Sequence, residues 1–354
     1  MKSCLSTALV HKSGAGLVSA GATLLMLTAC GGSGGGSDAP LGAGVAASQV
    51  ASTPAATTPD LSQPYLAGSE ELSVLTLLNI ERQRCGFGIL TANTQLDAAA
   101  RAHADYQIIN SRNSNLEDPL VPDGFTGIDP KARARAQGYT NAGAVTDEYE
   151  FFTSTIPITS VRGLGQLALR PLLNAPYHLN ALMTGYRDIG IAVRSIQDTG
   201  RGVNGAFVQI NAAYKADVGL QKLGATDVMT YPCEGASNIT RILRNETPNP
   251  VPGRDLSTNP LGSTVYIEVR EGNTLAITNA SFRDGVTGQN VILRVPVTGA
   301  NDPYGPCALG CFKAHQGYIV ADTPLQPNTP YIVSISGTNN GAAFNRTFTF
   351  TTGS

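Results

Sequence analysis

From Ser69 onward the hydrophobic positions recur with a helical period. Leu72, Val74, Leu75 and Leu78 form an apolar stripe, the spacing of a helix with one buried face. Ser69 stands at its start as a side-chain cap, and Glu70 and Glu71 follow at the positive end of the helix dipole. Gly86 and Gly88 end it. A second helix is predicted from about Thr94 to Ile109, where Leu96, Ala99, His103, Tyr106 and Ile109 share one face. His103 therefore reads as a core histidine rather than a ligand. Beyond about Tyr231 the helical period fades and a period of two replaces it. Residues 265–269, 290–295, 331–336 and 346–352 are short alternating runs, punctuated by Gly, Pro, Asn and Asp. That pattern predicts an all-β sandwich.

Before Ser69 the texture differs. Behind Lys2 and Lys12, residues 14–29 are small and apolar around Leu24-Leu25-Met26-Leu27. The stretch is too short and glycine-rich for a transmembrane helix and has the form of a secretory signal. It ends Leu27-Thr28-Ala29-Cys30, which resembles the bacterial lipobox. The resemblance implies cleavage before Cys30, a diacylglyceryl group on its thiol and acylation, with palmitate or a similar chain, of the new amino group. Several acyl chains suffice for stable anchoring. Gly31, where an Asp would favour the inner membrane, points to the outer membrane, at its periplasmic face or the cell surface. Residues 30–68 read as a Gly/Ser/Ala/Pro tether with a span on the order of 35 Å. Gly31-Gly32-Ser33-Gly34-Gly35 matches a nucleophile-elbow pattern but lacks the strand and helix that motif requires.

Composition narrows the classes. With 42% hydrophobic residues the chain can bury a core. Only 14% charged residues, with 39 Gly and 21 Pro, exclude a coiled coil. Lys and Arg number 24 against 26 Asp and Glu, so there is no basic surplus for nucleic acid. Signal cleavage removes two lysines and no acid, which leaves the mature chain more acidic and unsuited to anionic lipid. Once Cys4 is cleaved and Cys30 anchored, Cys85, Cys233, Cys307 and Cys311 remain. An even number in an exported chain reads as two disulfides. Three pairings are open; if Cys307 and Cys311 close a small loop, Cys85 and Cys233 tie the first segment to the second. Cys307, Cys311 and His315 have metal-like spacing but no clear fourth ligand.

Several segments then carry a family resemblance. Leu78-Asn79-x-x-Arg82-x-x-Cys85-Gly86 is followed by Leu90-x-x-Asn93-x-x-Leu96-x-x-Ala99-Ala100-x-x-His103-Ala104-x-Tyr106. Then come Gly124-Phe125-Thr126-Gly127-x-x-Pro130-x-x-Arg133 with Gly138-Tyr139, Asn174-Ala175-Pro176-Tyr177-His178, residues 188–193 and residues 206–210. In this order they resemble the bacterial CAP domain, the SCP-like superfamily of cysteine-rich secretory proteins, antigen 5 and pathogenesis-related 1. The resemblance covers about residues 70–215. Pro324-Leu325-x-Pro327-Asn328-Thr329-x-Tyr331 and Phe348-Thr349-Phe350-Thr351-Thr352-Gly353 resemble a bacterial Ig-like domain. The expected fold class is an α+β three-layer α-β-α sandwich followed by an all-β Ig-like sandwich. The domains would be a signal at 1–29, a lipidated tether at 30–68, a CAP domain at 69–216 and an Ig-like domain at 225–354.

The family's cleft holds two histidines and two acids, which bind a divalent metal in some members. Here the first histidine is replaced by Asn115, in Ser114-Asn115-Leu116-Glu117, and asparagine is a poor zinc ligand. The family acid falls on Asp147 or Glu148. The second histidine is present as His178, followed by Leu179 where Arg is usual. The resemblance thus implies a degenerate cleft of Asn115, an acid and His178. Glu117, paired with Glu148 or Asp147, is a secondary carboxylate candidate. No serine elbow stands by to make a triad with His178. The expectation is a non-enzymatic envelope binding module without cofactor, engaging an unknown envelope ligand or protein. Zinc at His178 and Glu148 is the alternative cofactor reading, and the alternative functions are a divergent hydrolase of cell-wall, peptide or lipid substrates, or an adhesion scaffold. The chain has no tryptophan; the two that the resemblances would place fall at Leu172 and Phe348.

Overall fold

The computed structural model describes residues 65–154, 160–198, 203–305 and 311–354. The expected signal, the expected anchor residue Cys30, most of the expected tether and Cys307 lie outside them. The described chain is mixed α/β, with few helices and several sheets. Helix α1 (Glu70–Arg84) starts at Ser69, whose hydroxyl accepts from the Leu72 N–H at 3.2 Å, and buries Val74, Leu75 and Leu78. After β1 (Thr91–Ala92), Asn93 caps α2 (Thr94–Ile109) by accepting from the N–H groups of Gln95 and Leu96. Its buried face carries Leu96, Ala99, His103 and Tyr106, as the spacing predicts, while Ile109 in the last turn is exposed.

The chain continues through α3 (Pro130–Ala136), β2 (Ala142–Val145), β3 (Glu148–Ser154), α4 (Leu164–Leu172), α5 (Pro176–Met183), β4 (Asp188–Asp198) and β5 (Val203–Lys215). The strands order β1-β4-β5-β2, with β3 also paired to β5. Strand alternation sorts the side chains between the two faces. Ile189, Ile191, Val208 and Ile210 pack with Leu75 and Leu169, whereas Ala213 packs with Leu96 and Ala99 of α2. Gly190 permits that close approach, since a Cβ there would stand 2.1 Å from the backbone of Leu96.

The rest is β-structure: β6 (Val228–Tyr231), β7 (Ala236–Ile239), β8 (Thr264–Val269), β9 (Leu275–Asp284), β10 (Asn290–Val291), β11 (Val297–Thr298), β12 (Gln316–Val320), β13 (Pro330–Asn339) and β14 (Ala342–Thr352). They form two sheets, β10-β9-β13-β14-β7 and β11-β12-β8-β6. Three of the four alternating runs are strands as expected. The run 290–295 is not one strand. Only its first two residues pair with β9; the Leu293 bridge to Ala321 and the Arg294 N–H to Val320 carry it across to the other sheet. Its Ile292 and Val295 are left 73% and 76% exposed.

One apolar core runs from α1 through both β-sheets of the second half, so the described residues fall in one compact unit. Tyr177 of α5 inserts among the rings of Tyr304, Phe312 and Tyr318, with centroids 5.7, 5.5 and 6.4 Å away. The Cys85–Cys233 disulfide joins the end of α1 to the turn after β6, and Cys311 is disulfide-bonded as well. Leu172 and Phe348 both lie in the core. Among the described residues no helix is long and apolar enough to cross a membrane.

Candidate functional site

Asp147 and Glu148 are neighbours in an extended stretch, so their side chains project to opposite faces of the sheet. That alternation divides the predicted site residues into two groups. Asp147 turns toward α2. Its carboxylate accepts from Arg133 Nη2 at 2.6 Å and Asn211 Nδ2 at 2.8 Å, with His103 Nε2 at 3.3 Å. His103 Nδ1 meets Glu117 at 2.9 Å, and Glu117 also accepts from the N–H groups of Thr126 at 2.6 Å and Gly127 at 3.1 Å. His103, Glu117, Arg133 and Asp147 are all buried. Burial pushes the Glu117 carboxyl up, but the bonds from His103, Thr126 and Gly127 and the Arg133 charge outweigh it and hold the group below its ordinary value. A guanidinium and an imidazole facing two carboxylates, with these oxygens engaged, pin the 114–133 segment to the sheet.

Two expectations are corrected here. Glu117 is not an open acid for cleft chemistry, because its oxygens are spent on His103, Thr126 and Gly127. Asn115 is exposed and engaged only through its backbone carbonyl, which accepts from Arg133 Nη2 at 3.1 Å. Its side chain hydrogen-bonds neither His178 nor Glu148. Of the alternatives Asp147 and Glu148, the one that meets His178 is Glu148.

Glu148 opens to the other face. One oxygen accepts from the Thr146 hydroxyl at 2.5 Å, and the other lies 2.5 Å from His178 Nδ1. Glu150, two residues along β3, projects to the same side. His178 sits in the first turn of α5, where Pro176 opens the helix and Ala175 offers no side-chain cap. The cap comes from the second half of the chain. Glu246 Oε1 accepts from the N–H of Tyr177 at 2.6 Å and of His178 at 3.4 Å, a carboxylate at a helix N-terminus. Its Oε2 is buried without a partner among the described residues. Tyr177 fastens the same turn by donating to Asp302 at 2.9 Å.

Burial pulls the His178 imidazole down, but the bond and charge of Glu148, with Glu246 and Glu150 behind it, outweigh burial and raise it to about 9. Burial raises the Glu246 carboxyl to about 8, against the pull of His178 and the two helix N–H groups. Glu150 is likewise raised by burial, and His178 opposes the shift. These carboxylates favour the imidazolium form of His178. Its side chain is 19% exposed, and Nε2 makes no hydrogen bond to a described residue. A charged donor at the surface, oriented by a carboxylate, suits recognition of a ligand acceptor. Among the described residues no group of three or more His, Cys, Asp or Glu is placed to hold a metal.

The sequence reading missed Glu246 and Glu150 and saw His103 only as core. The one local signal for Glu246 is an uncapped helix start at Ala175-Pro176, which says that a cap is wanted but not from where.

No family model matches the sequence, and no curated protein matches it. Among solved structures, an outer surface protein from Borrelia burgdorferi aligns over 42% of this chain and 96% of its own, with 14% identity and a TM-score of 0.32. An extracellular protein containing a SCP domain from Bacillus anthracis aligns over 41% of this chain and 40% of its own, with 16% identity and a TM-score of 0.31. At these values neither likeness carries a function across.

Proposed function

We propose that the protein is an exported, lipid-anchored envelope protein whose first half is a CAP-like, three-layer module with a recognition site at His178. The second half is an Ig-like module that braces it. The carrying observation is the His178–Glu148 contact at 2.5 Å with Glu246 capping the same helix turn. It leaves one oriented, charged N–H to offer a ligand. Helices on both faces of the first sheet and the order of the quoted motifs support the module reading. The lipobox-like Leu27-Thr28-Ala29-Cys30 supports the anchor.

Zinc titration of the mature protein at neutral pH tests the site. A proton held about two pH units above neutrality weakens metal binding about a hundredfold, so no tight binding is expected. Tight binding that His178→Ala abolishes would sink the recognition reading and favour a metal-dependent hydrolase. For the anchor, palmitate labelling is expected in the wild type and lost in Cys30→Ser; labelling that persists there removes the assignment.

A further inference from the structure

A cavity of about 310 Å3 lies where the two halves meet, lined by the turn after α1, the turn after α5, the connecting segment 221–224 and the second-half residues Asp227 and Glu268. It shares no lining residue with the His178 pair. Two cations, Arg82 and Lys222, and two carboxylates, Asp227 and Glu268, line it together. No hydrogen bond joins any two of the four, although the Glu268 charge acts on Arg82 from a distance and Glu268 also lies 3.8 Å from His315 Nε2.

Each is held in place by something else. Arg82 is wholly buried, and three carbonyls orient its guanidinium: Gly88 at 2.7 Å, Leu182 at 2.5 Å and Thr184 at 3.1 Å. Its Nη2 is left with no partner. Glu268 accepts from the Tyr266 hydroxyl at 2.8 Å, and Asp227 accepts from the Gly224 N–H at 2.7 Å. Lys222 is exposed at the rim. Burial pulls the Arg82 guanidinium down, and the distant Glu268 charge offsets only part of that, so the buried cation is left under-compensated. Opposite charges kept apart in one small cavity are what a ligand bearing both charges would bridge. A phosphate would confront two carboxylates, and a metal ion would confront two cations. The volume is at the small end of ligand cavities, about 300–1,000 Å3, and such sites favour the seams between modules.

We propose that this cavity binds a small zwitterion, an α-amino acid, whose carboxylate is taken by Arg82 and Lys222 and whose ammonium is taken by Asp227 and Glu268. The test is calorimetric titration of the full mature chain with glycine, L-alanine, D-alanine and L-glutamine. Acetate, methylammonium and inorganic phosphate are titrated alongside. At least one amino acid is expected to bind with a Kd of about 1 mM or tighter, and each half-ligand and phosphate at least about tenfold more weakly. Arg82→Lys risks the fold, so Lys222→Met and Asp227→Asn carry the test; the asparagine oxygen can still accept from Gly224. Each is expected to weaken the amino acid about tenfold. The proposal is overturned if no amino acid binds by about 10 mM, if acetate or phosphate binds as tightly as the amino acid, or if either variant leaves the affinity unchanged.

Discussion

One sheet carries a histidine–carboxylate cluster on each face, and the two differ in what their hydrogen-bonding capacity is spent on. On the α2 face, His103 is wholly buried, and both ring nitrogens are engaged, by Glu117 and by the Ser114 carbonyl. Arg133 completes the charge balance there. On the opposite face, His178 has one nitrogen on Glu148 and the other unspent, and its turn is capped by a residue from another part of the chain. The residue types are the same. The first cluster is closed on itself and holds a loop; the second keeps one valence and some exposure for a partner. A histidine beside a carboxylate is thus no evidence of a site until its remaining nitrogen is accounted for.

The sharpest way to break this contrast is to remove one charge from each cluster. Arg133→Met leaves two buried carboxylates short of their cation and is expected to cost about 3–5 kcal/mol in urea unfolding. His178→Gln is expected to cost less than that, because this pair is partly open to water. Equal losses would mean that both clusters are structural.

The pH dependence separates them next. The folded value of His178, about 9, lies above its ordinary 6.5. The stability it contributes is complete below about pH 6.5 and is lost as pH rises through 9. Glu246, raised from 4.5 to about 8, acts in the same direction, because its protonated form is the one that burial favours. Unfolding free energy should therefore fall as pH rises from about 6.5 to 9. In His178→Gln the part of that fall owed to the imidazole should vanish and the part owed to Glu246 remain; an unaltered slope in the variant would place the titration elsewhere.

Glu246 probes the seam between the halves. Glu246→Ala strips the cap from α5 and is expected to cost about 1 kcal/mol. Glu246→Gln keeps an oxygen for the cap and removes the charge, so stability should change little while the His178 titration, followed by NMR, moves down. A His178 titration indifferent to Glu246→Gln would show that the second half contributes packing alone.

Local pattern made much of this legible. The start of α1 was readable from Ser69, which accepts from the N–H three residues ahead; the Asn93 cap of α2 came only with the structure. The buried face of α2 and three of the β runs followed from periodicity, which is a local property. The run 290–295 misled because alternation reports faces, not partners, and this segment exchanges one sheet for another after two residues. His178 and Glu148 were readable as types in order. The choice between Asp147 and Glu148 needed the register of the sheet, and the exclusion of Asn115 and Glu117 needed their bonding.

What the sequence determined by itself is the first two helices, three of the later strands, the histidine and a pair of candidate acids, because helix caps, stripes and alternation act over a few residues. What only the tertiary structure decided is which of them meet. Glu246 reaches Tyr177 across 69 positions, and Arg82 and Glu268 come to one cavity from separate halves of the chain. Those encounters are fixed by a core that runs unbroken from α1 through both β-sheets of the second half, and burial there, unlike a helical period, is a property of no single segment.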